Sequence, residues 1–212
     1  MNIKIRHENK SEYRIVENIA REAFWNLYFP GCDEHLIVNK IRKSPDFIKE
    51  LSFIIEVNDE IAGAIFYTHS KIVSKDNIEY PTISFGPVFI LPKYHRQGLG
   101  RMLISHSIEK AKELGYKAIL TLGYEYHYSP YGFIGGKNYN ISMPDGNFYK
   151  GLLVLPLYEG ALNNISGSLY LSDIFEVTEE EIADFDSTFP YKEKKIQPSQ
   201  KEFEIAASML DN

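Results

Sequence analysis

The segment with the most chemical content runs from Val88 to Arg101, where an apolar stretch gives way to a long helical pattern. Gly98 and Gly100 stand at the predicted start of the helix. First-turn N–H groups have no partner inside a helix, and the helix dipole adds positive charge there. Glycine lets an anion approach these groups because it carries no Cβ. The segment is therefore predicted to bind an anion, and its nearby positive side chains are His95, Arg96 and Arg101.

Two common phosphate-binding patterns do not fit this segment. The Rossmann fingerprint needs a third glycine where this chain has Leu103, and the Walker A loop needs Gly-Lys followed by Ser or Thr. A Gly-x-Gly pair also occurs in tight turns that precede a helix without binding anything. The two glycines alone leave the anion site and the tight turn as open alternatives.

The wider context resembles the GNAT (GCN5-related) superfamily of N-acetyltransferases. The loop His95–Gly100 matches its pyrophosphate-binding motif, Gln/Arg-x-x-Gly-x-Gly/Ala, with His95 in place of the usual Gln or Arg. Upstream, Gly86–Pro92 is similar to the family's fourth strand, whose backbone binds the pantetheine arm of the cofactor. Downstream, Tyr128–Phe133 matches the family's Tyr-x-x-x-Gly-Phe segment. The similarity extends from about Ile3 to Phe133.

A bacterial subgroup of predicted acetyltransferases, typified by YhbS, resembles the chain in further places. Leu122-Gly123 precedes an aromatic-rich stretch, as it does in that subgroup. The segment Glu159–Leu162, followed by Ser166-Gly167, is similar to the subgroup's C-terminal part.

This resemblance implies a transferase that uses acetyl-CoA as cosubstrate, with direct attack of a neutral amine on the acetyl thioester. A main-chain N–H near Val88–Ile90 is the expected oxyanion donor. Tyr128 is the expected general acid for the departing thiolate, because a phenol with a pKa of about 10 is protonated at neutral pH. The residues expected to hold acetyl-CoA are Val88, Phe89, Ile90, His95, Arg96, Gln97, Gly98, Leu99, Gly100 and Arg101.

The general base and the acceptor stay open at this stage. The candidate bases are Glu22, His69, Glu125 and His127, and an ordered water chain would serve without any of them. The acidic pair Asp33-Glu34 either attracts a cationic amine or only stabilises a helix N-terminus. The acceptor is expected to be a small-molecule amine. The alternatives are a protein or peptide amine, and a CoA-binding sensor or interaction module without turnover.

The elements that must position these residues follow the order β-α-α-β-β-β-α-β-α-β-β. This order predicts an α/β (α+β) fold. The resemblance implies the GNAT fold, with a mixed, mostly antiparallel sheet splayed between strands 4 and 5 and flanked by helices. We expect one domain over residues 1–212, with a core in 1–135 and an acceptor wall in 136–212. The helix after Gly98 is predicted to bury Leu99, Met102, Leu103, Ile108, Ala111 and Leu114.

The C-terminal segments carry two further expectations. The lysine-rich stretch Tyr191–Gln200 is expected to be a solvated surface loop. The last helix, near Gln200–Met209, is expected to pack on its own domain or on a partner subunit, and the chain is expected to be a monomer or homodimer.

Composition narrows the class of protein. The 23 Lys+Arg and 29 Asp+Glu give a net charge of −6, without a long basic stripe, which disfavours nucleic-acid binding. A run of 18 apolar residues is missing, as is a secretory signal, so a cytoplasmic protein without membrane spans is expected. The single cysteine and the dispersed histidines indicate that no metal is bound.

Overall fold

The computed structural model describes residues 2–211, which form nine strands and six α-helices. In chain order these are β1 (Ile3–Arg6), α1 (Tyr13–Phe24), α2 (Glu34–Ile41), β2 (Phe53–Val57), β3 (Glu60–Val73), β4 (Glu79–Ile90), α3 (Leu99–Glu113), β5 (Ala118–Leu122), α4 (Glu125–Tyr128), β6 (Ile134–Gly135), β7 (Ile141–Ser142), β8 (Leu152–Pro156), β9 (Gly167–Tyr170), α5 (Glu179–Asp186) and α6 (Pro198–Ser208). None of the helices in this range is long and apolar enough to cross a membrane.

All nine strands belong to one mixed sheet. Its main order is β1-β2-β3-β4-β5-β8-β6, and β9 pairs with the far end of β3 and carries β7 beside it. The pairs along the main order are antiparallel except β4–β5, which is parallel. The predicted mixed, mostly antiparallel sheet with flanking helices is therefore confirmed.

The sheet opens between β4 and β5. The two strands pair only at Ile83↔Ile119 and Ser84↔Leu120, after which β4 continues to Ile90 without β5 beside it. At the same place Gly86 and Pro87 face a single residue of β3, which is a β-bulge that bends the strand away from its neighbour. The expected splay between strands 4 and 5 is present, and it leaves one edge of β4 open.

Apolar side chains cover both faces of the sheet. Helices α1 and α2 pack on one face through residues such as Val16, Ala20 and Ile41. Helix α3 packs on the other face through Leu99, Leu103, Ile104, Ile108 and Ala111.

Two predicted core residues of α3 are exposed instead. Met102 is 42% exposed and Leu114 is 45% exposed. At about 100° per residue, Met102 lies on the opposite side of the helix from the buried stripe. Leu114 is the C-cap residue, which follows the last residue of the helix.

The C-terminal segments return to the first two helices. Arg21 Nε donates to Asp186 Oδ1 at 2.6 Å, which attaches α5 to α1. In the lysine-rich loop, the carbonyl of Glu193 accepts from Trp25 Nε1 at 2.9 Å, and the N–H of Lys195 donates to Asn26 Oδ1 at 3.0 Å. The loop is largely exposed, as expected, with Tyr191 at 93% and Ile196 at 88%, and its backbone also binds the residues that follow α1.

Helix α6 packs on its own chain. At its start, Ser199 Oγ donates to the carbonyl of Leu27 at 2.9 Å. Just after its end, Lys150 N–H donates to the carbonyl of Met209 at 2.9 Å, beside a β-bridge between Tyr149 and Leu210. Helix α6 thus crosses from the end of α1 to the segment that leads into β8.

Candidate functional site

The loop before α3 presents a series of unsatisfied backbone donors. Among residues 2–211, no acceptor lies within bonding distance of the N–H groups of residues 96–101. Arg96 and Gly98 have positive φ angles of 60° and 83°, which turn the chain so that successive N–H groups face outward. A Cβ at Gly98 would meet nothing within 4 Å, so the space in front of these donors is open. This geometry fits the predicted phosphate cradle.

The side chains of the loop have different environments. His95, Arg96 and Arg101 are exposed, so they can add positive charge at the loop surface. His95 Nε2 lies 2.8 Å from the carbonyl oxygen of Ile90, which joins the loop to the end of β4. Leu99 is fully buried in the core, so that only its backbone is available to a ligand.

Backbone groups of β4 face the opening beside the loop. Leu91 N–H donates to the carbonyl of Ala62 at 2.7 Å, so the groups of Leu91 point to β3. Because successive residues of a strand alternate, the N–H groups of Val88 and Ile90 point to the open edge. The Phe89 side chain packs away from this edge, with its ring centroid 6.0 Å from that of Phe24. A ligand in the opening would therefore meet the backbone of β4.

Tyr128 lies on the β5 side of the opening. Its ring packs between those of Phe85 and Phe133, at centroid distances of 5.4 and 5.8 Å. Gly123 makes room for the ring, since a Cβ there would lie 2.6 Å from Tyr128 Cε2. Burial raises the pKa of Tyr128 to about 12. The phenol is protonated at neutral pH, and its hydroxyl has no hydrogen-bond partner within residues 2–211.

A cavity of about 2060 Å³ is lined by Tyr128 and by β4 as far as Val88, and residues 96–101 are not among its lining residues. Its walls come from β4, β5, the end of α1, the start of α2 and helix α6. Its aromatic and large apolar lining residues include Phe24, Tyr28, Phe29, Ile37, Phe85, Tyr124, Tyr128, Phe175, Phe203 and Met209.

The four candidate bases fall in different places. Glu125 lines the cavity, whereas His69 and His127 are exposed and are not among its lining residues. Glu22 forms an ion pair with Lys192 at 2.8 Å. Cys32 is buried beside α2 and is also outside the lining.

Glu34 is a cavity residue that the sequence does not distinguish from its neighbour Asp33. It lines the cavity, is 8% exposed, and its Oε2 has no partner within the described chain. The sequence shows only an acidic pair at a helix start, where such residues are common, and it does not show burial. Across residues 2–211, no group of three or more His, Cys, Asp or Glu side chains is arranged to hold a metal ion.

Comparison with known families identifies the class of protein that this fold and site represent. Residues 16–129, more than half of the chain, match the model of the acetyltransferase (GNAT) family. The chain belongs to this family.

The individual relatives share low sequence identity with this chain. The uncharacterized N-acetyltransferase YhbS of Escherichia coli strain K12 is 26% identical over 117 residues, which are 55% of this chain and 70% of the relative. The crystal structure of E. coli YhbS in complex with CoA superposes with a TM-score of 0.72 at 20% identity, over 82% of this chain and 92% of that one. A GNAT acetyltransferase from Brucella melitensis in complex with acetyl-CoA gives a TM-score of 0.67 at 19% identity, over 82% and 99%. At this identity, the structural similarity shows the fold.

Proposed function

We propose that the protein is an acetyl-CoA-dependent N-acetyltransferase that acetylates a primary amine of a small molecule by direct attack in a ternary complex. The observation that carries this proposal is the joint position of two features beside the opening between β4 and β5. One is the set of outward N–H groups of residues 96–101, and the other is the protonated, unpartnered hydroxyl of Tyr128. The two similar structures that contain CoA and acetyl-CoA support the choice of cosubstrate.

Different groups of the chain would bind different parts of acetyl-CoA. The N–H groups of residues 96–101 would hold the pyrophosphate, with His95, Arg96 and Arg101 adding positive charge. The backbone of Val88, Phe89 and Ile90 would hold the pantetheine arm along the open edge of β4. Since Leu99 and Phe89 are buried, they would contribute main-chain contacts alone.

The chemical roles follow from the same geometry. An outward N–H of Val88 or Ile90 would stabilise the oxyanion that forms when the amine attacks the acetyl carbon. Tyr128 would give its proton to the departing thiolate. Helix α6 forms one wall of the cavity, so that the site is concave, which favours a small acceptor over a folded protein surface. Residues 136–212 supply 19 of the 36 residues that line the cavity, and we propose that they form one domain with residues 1–135.

Calorimetry with acetyl-CoA, followed by a screen of amines for thiol release, tests the proposal. Tyr128→Phe should leave the acetyl-CoA dissociation constant within about twofold of wild type and lower kcat by about 10²-fold or more. Tyr126→Phe is the matched control, because Tyr126 lies on the same helix and is 67% exposed. Absence of acetyl-CoA binding would refute the proposal. Binding without thiol release from any amine would support a CoA-binding sensor instead, and release only with peptide amines would support a protein acceptor.

A further inference from the structure

Glu34 combines three properties that rarely occur together. It is the first residue of α2, it is 8% exposed, and it lines the cavity. Its Oε2 is buried without a hydrogen-bond partner, and no Lys, Arg or His nitrogen of residues 2–211 lies within 4.0 Å of its carboxylate. Burial of such a carboxylate costs folding free energy, which the nearby backbone N–H groups of Asp33 and Glu34 offset only in part.

Other buried acids of the chain are paired. Glu17 Oε1 accepts from Arg42 at 2.7 Å, and Glu56 forms an ion pair with Arg6. Burial raises the pKa of Glu34 well above its usual value, and the adjacent carboxylate of Asp33 raises it further. Strong perturbation inside a cavity is typical of residues with a chemical role.

Glu34 and Tyr128 both line the cavity. Tyr28 also lines the cavity; burial raises the pKa of its phenol, and Glu34 and Tyr128 raise it further, so both residues lie near Tyr28. One helical turn after Glu34, Ile37 also lines the cavity, as does Phe175, which lies 3.8 Å from where a Cβ of Gly86 would be. Glu34 therefore approaches the β4 opening from the α1–α2 side, and Tyr128 approaches it from the β5 side.

We propose that Glu34 binds the ammonium group of the acceptor and takes its proton before attack, and that the acceptor is a primary amine carried on an apolar body. This inference rests on the function proposed above. Asp33, which also lines the cavity, supplies the second carboxylate of the ammonium site. The apolar body follows from the aromatic walls near Glu34, which include Tyr28, Phe29 and Phe203.

The protons balance in this scheme. One N–H proton of the ammonium moves to the Glu34 carboxylate, and the neutral nitrogen forms a C–N bond with the acetyl carbon. The C–S bond then breaks, and the sulfur receives the Tyr128 proton. The nitrogen of the new amide loses its second proton to the Tyr128 phenolate, which restores the phenol. Glu34 releases its proton to solvent, so that one proton is produced for each amide formed.

Thiol release from acetyl-CoA with named amines tests the proposal. Hexylamine and 2-phenylethylamine are the apolar probes, and glycinamide is the polar comparison. For the better apolar probe, Glu34→Gln should lower kcat/KM by at least 10²-fold while the acetyl-CoA dissociation constant changes less than twofold. Its Tm should equal or exceed that of wild type, because a neutral amide is less costly to bury than an unpaired charge. Glu109→Gln, on the exposed face of α3, is the surface control.

The possible outcomes separate this inference from the proposed function. Wild-type protein that fails to bind acetyl-CoA, or releases no thiol with any amine, would overturn both. Active wild type with an unchanged Glu34→Gln variant would overturn the inference alone, as would a 10²-fold loss in Glu125→Gln without a loss in Glu34→Gln. A Glu34→Gln variant whose activity loss accompanies a large fall in Tm would assign the residue a structural role. Preference for glycinamide would overturn the apolar acceptor class.

Discussion

The glycines at the two ends of α3 allow backbone strain and ligand binding to be measured separately. Gly98 precedes the helix and Gly115 follows it, with φ angles of 83° and 79°. A Cβ at either place would meet nothing within 4 Å, so neither substitution creates a steric clash inside the protein. Gly115 lies at the opposite end of the helix from the proposed cofactor site. The substitutions Gly98→Ala and Gly115→Ala thus form a matched pair.

The expected magnitudes follow from the backbone conformation and from the lost hydrogen bonds. An alanine in the left-handed region costs about 1–2 kcal/mol. For a chain of this size, each kcal/mol lowers Tm by about 2–4 °C, so both variants should melt about 2–8 °C below wild type. In Gly98→Ala alone, the Cβ would occupy space in front of the N–H groups of residues 96–101. Loss of one charge-assisted hydrogen bond, about 1.5–3 kcal/mol, should weaken acetyl-CoA binding about 10- to 100-fold.

Gly100→Ala adds a variant with the opposite effect on stability. Gly100 lies within the helix, and a Cβ there would make an ordinary contact with Ile90 Cγ1 at 3.7 Å. Alanine in a helix is favoured over glycine by about 0.5–1 kcal/mol, so Tm should rise. Acetyl-CoA affinity should stay close to that of wild type, because the pyrophosphate-binding motif accepts either glycine or alanine at this position. Titration calorimetry measures the acetyl-CoA affinity, and differential scanning calorimetry measures Tm. Equal acetyl-CoA affinity in Gly98→Ala and Gly115→Ala would refute the assignment of this loop as the phosphate cradle.

The remaining predictions concern Tyr128 and His35. In Gly123→Ala the new Cβ would lie 2.6 Å from Tyr128 Cε2, so the ring must move. The kcat for thiol release should fall at least tenfold, about what a misplaced proton donor costs, while acetyl-CoA affinity stays unchanged. An unchanged kcat would count against Tyr128 as the proton donor. His35 is fully buried, and burial lowers its pKa to about 4, with Arg21 also lowering it and Asp186 at 3.3 Å opposing the shift. Because the unfolded chain takes up this proton near pH 6.5, stability is complete above pH 6.5 and falls by up to about 1.4 kcal/mol per pH unit as the pH drops towards 4. Urea unfolding of wild type and His35→Gln between pH 5 and 7 should show a steeper pH dependence for wild type, and parallel curves would contradict a neutral buried imidazole.

The sequence by itself determined the local elements and their order. The order of helical and extended segments predicted the mixed sheet. Its splay was implied by the resemblance of the glycine loop and of Tyr128–Phe133 to the GNAT superfamily. The mixed sheet and the β4–β5 opening are both present. These features are local because each depends on neighbouring residues and on short-range rules of helix starts and turns. The cofactor residues Val88–Arg101 and Tyr128 were proposed on the same basis, and acetyl-CoA titration is their test.

Tertiary structure decided which polar side chains are buried and where the C-terminal segment lies. Glu34 has an ordinary sequence context, and only the packing of α1, α2 and α6 around one cavity buries its Oε2 atom without a hydrogen-bond partner. The lysine-rich loop has the composition of a solvated segment, but its backbone binds Trp25 and Asn26, more than 160 residues earlier in the chain. Burial and partner choice depend on such long-range contacts, which local residue patterns do not encode.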